Sequence, residues 1–142
     1  MSELDEFLQT VVPRQVRADD ALLNGDPGPR MELWSHHDPV TVLGARRSAR
    51  GWAQVSEAFR WIASRFAHGE FHLEVIAAGV SGDLAYTVGY ERSRASLDGG
   101  PPGPIRLRVT HIYRRENGEW KIVHRHADPL QTDQATSAAE QR

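Results

Sequence analysis

The stretch THIYRRENGEWKIVHRHADP, residues 110–129, carries three histidines and three arginines on two apolar runs. Two histidines spaced i, i+2 on a strand, with a third across the hairpin, have the spacing to hold zinc or iron. An arginine set among them could receive a carboxylate through paired hydrogen bonds. Elsewhere Asp38 follows His36 and His37, an arrangement able to work as an acid–base pair, and Glu91 alternates with tyrosines along an apolar run. Which chemistry is open depends on which side chains share a face.

Asn117-Gly118 accepts positive φ at both central positions of a two-residue turn, so the flanking runs form a β-hairpin. That turn pairs Glu116 with Glu119 and predicts His111 opposite His124, Val109 opposite His126, Tyr113 opposite Ile122 and Arg115 opposite Trp120. Side chains alternate along a strand, so His111, Tyr113, Trp120, Ile122, His124 and His126 are expected on one face. No carboxylate joins them and aromatics dominate, so the face reads as a packed or interface surface; neither metal nor cofactor is expected. The opposite face carries Arg108, Thr110, Val123, Arg125 and Ala127. On a solvated face these arginines are unremarkable. On a covered one they require an anionic partner, and pattern alone does not choose.

The elements that position these residues follow from periodicity. Residues 3–24 read as helical, with Pro13 expected to kink the segment or restart it at Arg14. Asp26-Pro27-Gly28-Pro29 is a turn from which Asp26 can cap a short helix. Residues 38–44 (DPVTVLG) form a short strand, and Asp38-Pro39 is also a turn pair in its own right. Trp52, Val55, Phe59, Ile62 and Phe66 lie on one stripe of a long helix running to Ala67. Strands follow over 70–81, 84–95, 105–115 and 119–127. In the second of these the apolar set, Tyr86, Val88 and Tyr90, is expected to face the core and offer hydroxyls to a pocket; a bulge would invert it and turn Glu91 inward. Trp34 is expected as core or pocket lining. Helices followed by long antiparallel strands indicate an α+β fold.

The 142 residues suit one domain, 1–130, with a polar tail over 131–142. There is no cysteine, which removes disulfides and thiolate sites, and no run long enough to span a membrane, which points to the cytoplasm. Net charge is −2 without a basic arm, so neither nucleic acid nor membrane is an expected partner. Sixteen of the seventeen cations are arginine, a bias that weakens any argument from arginine number alone.

In ALLNGDPGPRMELWSHHDPVTVLGA, RGWAQVSEAFRW, VSGDLAYTVGYER and above all RVTHIYRRENGEWKIVHRHAD, the chain resembles the nuclear-transport-factor-2-like superfamily. That fold is shared by ketosteroid isomerases and SnoaL-like polyketide cyclases. The last segment is also similar to the closing hairpin of the calcium/calmodulin-dependent kinase association domain. The resemblance implies a cone-shaped, strongly curved mixed or antiparallel sheet wrapped around the long helix, with N-terminal helices closing the cone over an apolar pocket. It further implies a homodimer through the outer sheet face. Thr110, Val123, Arg125 and Ala127 would then face the pocket, and His111, His124 and His126 the outside.

The isomerase residues do not transfer. The general-base aspartate falls near Leu43 or Gly44, the protonated aspartate on Thr110, and the first helices lack a tyrosine. One pocket arginine of the association domains also coincides with Thr110. Two functions are therefore expected in competition. The first is a small-molecule pocket for an apolar, acidic ligand held by Arg108, Thr110 and Arg125, with Asp38 or Glu91 moving a proton in isomerase, cyclase or dehydratase chemistry. The second is a non-catalytic dimerisation or hub module that uses the histidine-bearing face.

Overall fold

The structure, a computed structural model, describes residues 1–130. The tail expected over 131–142 lies outside the described residues.

Helix α1 (Glu3–Leu22) starts at a capping box in which Ser2 Oγ accepts from the Asp5 amide at 3.0 Å and the Asp5 carboxylate accepts from the Ser2 amide. Pro13 lies inside this helix without dividing it, so the expected restart at Arg14 does not occur. Phe7, Val11, Ala18 and Leu22 form its buried stripe, and Gln15 and Asp19 lie buried on the same stripe. A turn at 23–27, in which Asp26 Oδ1 accepts from Gly28 N, leads to the short α2 (Gly28–Leu33).

Strand β1 (Thr41–Leu43) pairs antiparallel with β2 (Ser48–Arg50), a short strand to which the sequence pattern gave no element. Helix α3 (Trp52–Arg65) stops where Phe66 turns extended, so Phe66 opens β3 (Phe66–Glu70) rather than completing a helical stripe. Then come β4 (Leu73–Ser81), β5 (Leu84–Leu97), β6 (Gly103–Glu116) and β7 (Glu119–Pro129).

The sheet is mixed, in the order β2-β1-β7-β6-β5-β3, with β4 also on β5; β1 and β7 are parallel and the other pairs antiparallel. The α+β class and the mixed sheet are as expected, but the strongly curved cone wrapped around the long helix is not. The path ends at β2 on one side and at β3 on the other, and among the described residues no pairing joins those ends. The longest helix is moreover α1 rather than α3. Helices pack on one face of an open sheet: Phe7 and Val11 from α1 and Val55 and Phe59 from α3 meet Ala85, Tyr113 and Ile122 from the strands. A second cluster gathers Leu23, Phe66, Phe71 and Ala95.

The ladder shifts register at three places: between Ala67 and Glu70, between Val75 and Ala77, and between Ile112 and Tyr113. The last decides the site. Asn117 and Gly118 take positive φ, and Glu116↔Glu119, Arg115↔Trp120 and Tyr113↔Ile122 pair as the turn predicts. Ile112 then pairs with His124, which leaves Val123 as an extra residue in β7. One extra residue reverses the parity of everything beyond it. Arg125 therefore lies opposite His111, and Thr110 opposite His126.

Candidate active site

The reversed parity of β7 brings Arg125 to the helix-covered face, where His111 already lies in regular alternation with Tyr113 on β6, and both are nearly fully buried. Glu91 reaches the same place from β5 because Ala85, Thr87, Gly89, Glu91 and Ser93 form its buried row. A guanidinium and a carboxylate removed from water need each other. Arg125 Nη1 donates to Glu91 Oε2 at 2.8 Å and Nη2 to Oε1 at 2.9 Å, so both carboxylate oxygens are held. Nη1 also lies 3.2 Å from His111 Nε2. Arginine can only donate, so His111 accepts there and is neutral, with its proton on Nδ1.

A second buried pair comes from the helices. Arg30 on α2 donates through Nε to Asp19 Oδ1 at 2.9 Å, and its Nη2 lies 2.9 Å from the same oxygen as an ion-pair contact. Its guanidinium lies over the Phe59 ring at 5.1 Å, a cation–π contact that fixes its direction. The two pairs differ in one respect. Glu91 has both oxygens bonded, whereas Asp19 uses only Oδ1; Oδ2 has no hydrogen bond among the described residues.

Their proton affinities diverge accordingly. Burial pushes the Asp19 carboxyl up and the Glu91 charge adds to this, against the pull of Arg30. Burial acts on Glu91 in the same sense, but the charge of Arg125 and its hydrogen bonds outweigh it and hold Glu91 below the usual range. Burial, then the charges of Arg125 and Arg30, drive His111 well below its ordinary value. Burial opposes the charge on Arg125 as well, yet Glu91 keeps it firmly protonated.

All of these groups but His111 line a cavity of about 430 Å³. Asp19, Arg30, Glu91 and Arg125 supply its charged wall, while Leu22, Leu23, Phe59, Ile62, Phe66 and Phe71 supply the apolar one. Arg46, whose guanidinium lies over Phe66 at 5.5 Å, stands at its edge and forms no ion pair among the described residues.

The other residues singled out from sequence are placed as follows. Arg108 lies on the opposite face, exposed, and donates to both Asp128 oxygens at 2.8 and 2.9 Å. Thr110 is on that face as well, as are Tyr86 and Tyr90, so none of the four reaches the cavity. The expectation that these tyrosines face inward and Glu91 outward is corrected; β5 keeps regular pairing with β6, and its small and polar residues form the buried row. Ala127 is buried and Val123 packs against the core, but neither lines the cavity. Trp34 is core, edge-on to Phe59 at 5.1 Å.

Of the expected outer-face residues, His111, Tyr113 and Ile122 are buried beneath the helices, and Trp120 packs against Phe7 at 5.2 Å. Only His124 and His126 lie on the outer face, where His124 Nδ1 meets the Thr41 hydroxyl at 2.7 Å. Asp38 is absent from the cavity; its Oδ1 accepts from Trp52 N at 2.8 Å and satisfies the first amide of α3.

Asp19 and Arg30 were missed from sequence. The only signal was a carboxylate at a position where the α1 spacing Phe7, Val11, Gln15, Ala18, Leu22 demands burial. Among the described residues no cluster of histidine and carboxylate side chains is arranged to hold a metal, and no helix is long and apolar enough to cross a membrane.

The family model described as a SnoaL-like domain matches residues 20–130. No curated protein matches the sequence. Among solved structures, the fold is similar to an NTF2-like superfamily protein from Salmonella enterica, with TM-score 0.75 and 22% identity over 90% of this chain and 92% of that one. It is similar to a candidate dehydratase of the NTF2-like family from Streptomyces avermitilis, with TM-score 0.74 and 21% identity over 90% and 99%. A candidate calcium/calmodulin-dependent protein kinase II association domain from Xanthomonas campestris gives TM-score 0.63 and 13% identity over 90% and 87%. Likeness at these identities establishes the fold and leaves chemistry to the residues.

Proposed function

The chain belongs to the SnoaL-like domain family, and we propose that it binds a small, largely apolar molecule in the cavity and moves a proton on it without a cofactor. The reaction class is isomerase, cyclase or dehydratase, all of which shift a proton at carbon beside a carbonyl. The observation that carries this reading is the asymmetry of two buried carboxylates. Glu91 is fully bonded and held ionised, whereas Asp19 keeps one oxygen unbonded and has a raised affinity for a proton. Two acids pushed apart by their surroundings divide the labour of acid–base catalysis. Asp19 gives and takes the proton; Glu91 and His111 hold Arg125 so that the charged wall stays fixed.

The buried part of the wall is charge-balanced, Arg30 and Arg125 against Asp19 and Glu91. Arg46 and Arg106 also line the cavity, are not buried, and form no ion pair among the described residues. An acidic group on the ligand is therefore better met at the edge by Arg46 than by Arg125, whose nitrogens Glu91 already occupies.

The test uses apolar ketones such as 1-tetralone, screened for binding by thermal shift and for deuterium uptake beside the carbonyl in D₂O by NMR. Asp19→Asn is expected to stop uptake while binding survives. Uptake that persists in this variant overturns the acid–base assignment, and failure of every such ketone to bind overturns the pocket.

A second reading, a homodimer or hub module, draws on the outer face. Leu84, Tyr86 and Ile112 are 53%, 44% and 37% exposed there, and Tyr86, Ile112 and His124 lie in one row across β5, β6 and β7. Light scattering of the wild type and of Ile112→Glu decides it: a dimer that the charge splits supports the reading, and a wild-type monomer ends it.

A further inference from the structure

Ser93 lies two positions beyond Glu91 on the buried row of β5 and lines the same cavity. It is 9% exposed, and its hydroxyl has no hydrogen-bond partner among the described residues. A buried hydroxyl with no partner is costly, so a protein has reason to keep one only where something else completes it. Its neighbours do not. Apolar side chains make up the near wall, and the guanidinium groups of Arg30 and Arg125 are committed to Asp19 and Glu91. A serine hydroxyl reaches a new partner by rotation about a single bond, without moving the strand.

We propose that Ser93 is a ligand-binding residue: its hydroxyl donates to a neutral oxygen, a carbonyl or hydroxyl, on the molecule the cavity takes. This deepens the reading of the cavity as a proton-transfer pocket and rests on it. The partner oxygen is neutral because the buried cations of the cavity, Arg30 and Arg125, are each already committed to a carboxylate. The substrate class is then an apolar ring or chain bearing a ketone or alcohol, turned so that the carbon next to that oxygen faces the Asp19–Glu91 end. A hydrogen bond at the oxygen also favours loss of the proton beside it, since negative charge develops there as the proton leaves.

The hydroxyl therefore has opposite effects on the empty and the filled protein. The test pairs 1-tetralone with tetralin, which has the same rings without the oxygen. Each competes against the fluorescent apolar probe N-phenyl-1-naphthylamine in wild type, Ser93→Ala and Ser93→Thr. The expected result is an unliganded Ser93→Ala protein that melts higher than wild type. Its 1-tetralone affinity falls by about 5- to 20-fold, the loss of one hydrogen bond. Tetralin affinity stays unchanged, and Ser93→Thr, which keeps the hydroxyl, recovers the preference for the ketone. Equal change for both ligands, or a lower melting temperature in Ser93→Ala, overturns the proposal while leaving the pocket in place. A probe that neither tetralone nor tetralin displaces refutes the pocket itself, and the Ser93 proposal with it.

Discussion

Replacing Glu91 by glutamine keeps its shape and removes its charge, leaving the guanidinium of Arg125 buried beside a neutral amide. The side chains of the pair are 5% and 7% exposed, so water cannot compensate. At an effective dielectric of 20, two unit charges 4 Å apart attract by about 4 kcal/mol. Removing one partner of a buried pair costs about 3–5 kcal/mol because the other charge is stranded. For a domain of this size that lowers the melting temperature by about 10–20 °C. Arg108 and Asp128 provide the internal control, since the same two-bond geometry, at 2.8 and 2.9 Å, sits there with side chains 60% and 43% exposed. Arg108→Gln is expected to leave the melting temperature within the scatter of the assay. The double variant Glu91→Leu/Arg125→Met, which strands no charge, should recover most of what Glu91→Gln loses. Thermal and urea unfolding of these variants gives the comparison. If Glu91→Gln costs no more than Arg108→Gln, burial is not what governs the pair, and the account of a charge-balanced wall fails.

Further outcomes follow from the same geometry. His111 binds its proton more weakly when folded than when unfolded, so its contribution is complete above pH 6.5 and drains away as pH falls below that value toward the lowered folded pKa. His111→Asn should flatten the pH dependence of urea stability between 6.5 and 5, and an unchanged slope would refute the assignment. A Cβ on Gly89 would lie 2.3 Å from the Glu74 carbonyl oxygen, where β4 passes close by. Gly89→Ala should therefore cost about 1–3 kcal/mol or more by overpacking in chemical unfolding, unlike Gly82→Ala, where a Cβ meets nothing within 4 Å and only the φ of +61° is unfavourable. Asp38→Ala removes the acceptor of the first α3 amide and should cost about 1 kcal/mol in stability while leaving ketone binding unchanged. Loss of binding in that variant would return Asp38 to the site.

What the sequence determined by itself was local. Asn117-Gly118 set the turn and the first pairs of the hairpin, because positive φ at both positions admits few other shapes. The period of Trp52, Val55, Phe59 and Ile62 marked α3, and the quoted segments led to the SnoaL-like family. What only the tertiary structure decided was which side chains meet. A single extra residue at Val123 exchanged the faces of β7 beyond it, taking Arg125 and Ala127 inward and His124 and His126 outward. Strand β6 keeps its alternation, so His111 lies on the covered face with Tyr113, and Thr110 and Arg108 lie on the other. In the sequence the sole trace of the extra residue is the adjacent apolar pair Ile122-Val123, which alternation does not predict. The openness of the sheet depends on which strand edges find partners across the whole chain, information that no segment carries. The Asp19–Arg30 pair joins two helices, and each residue alone reads as ordinary helical charge. Alternation and helical period are properties of a few neighbouring residues. Burial of a charge, and the shift in proton affinity that follows, exists only once separate segments have excluded water together.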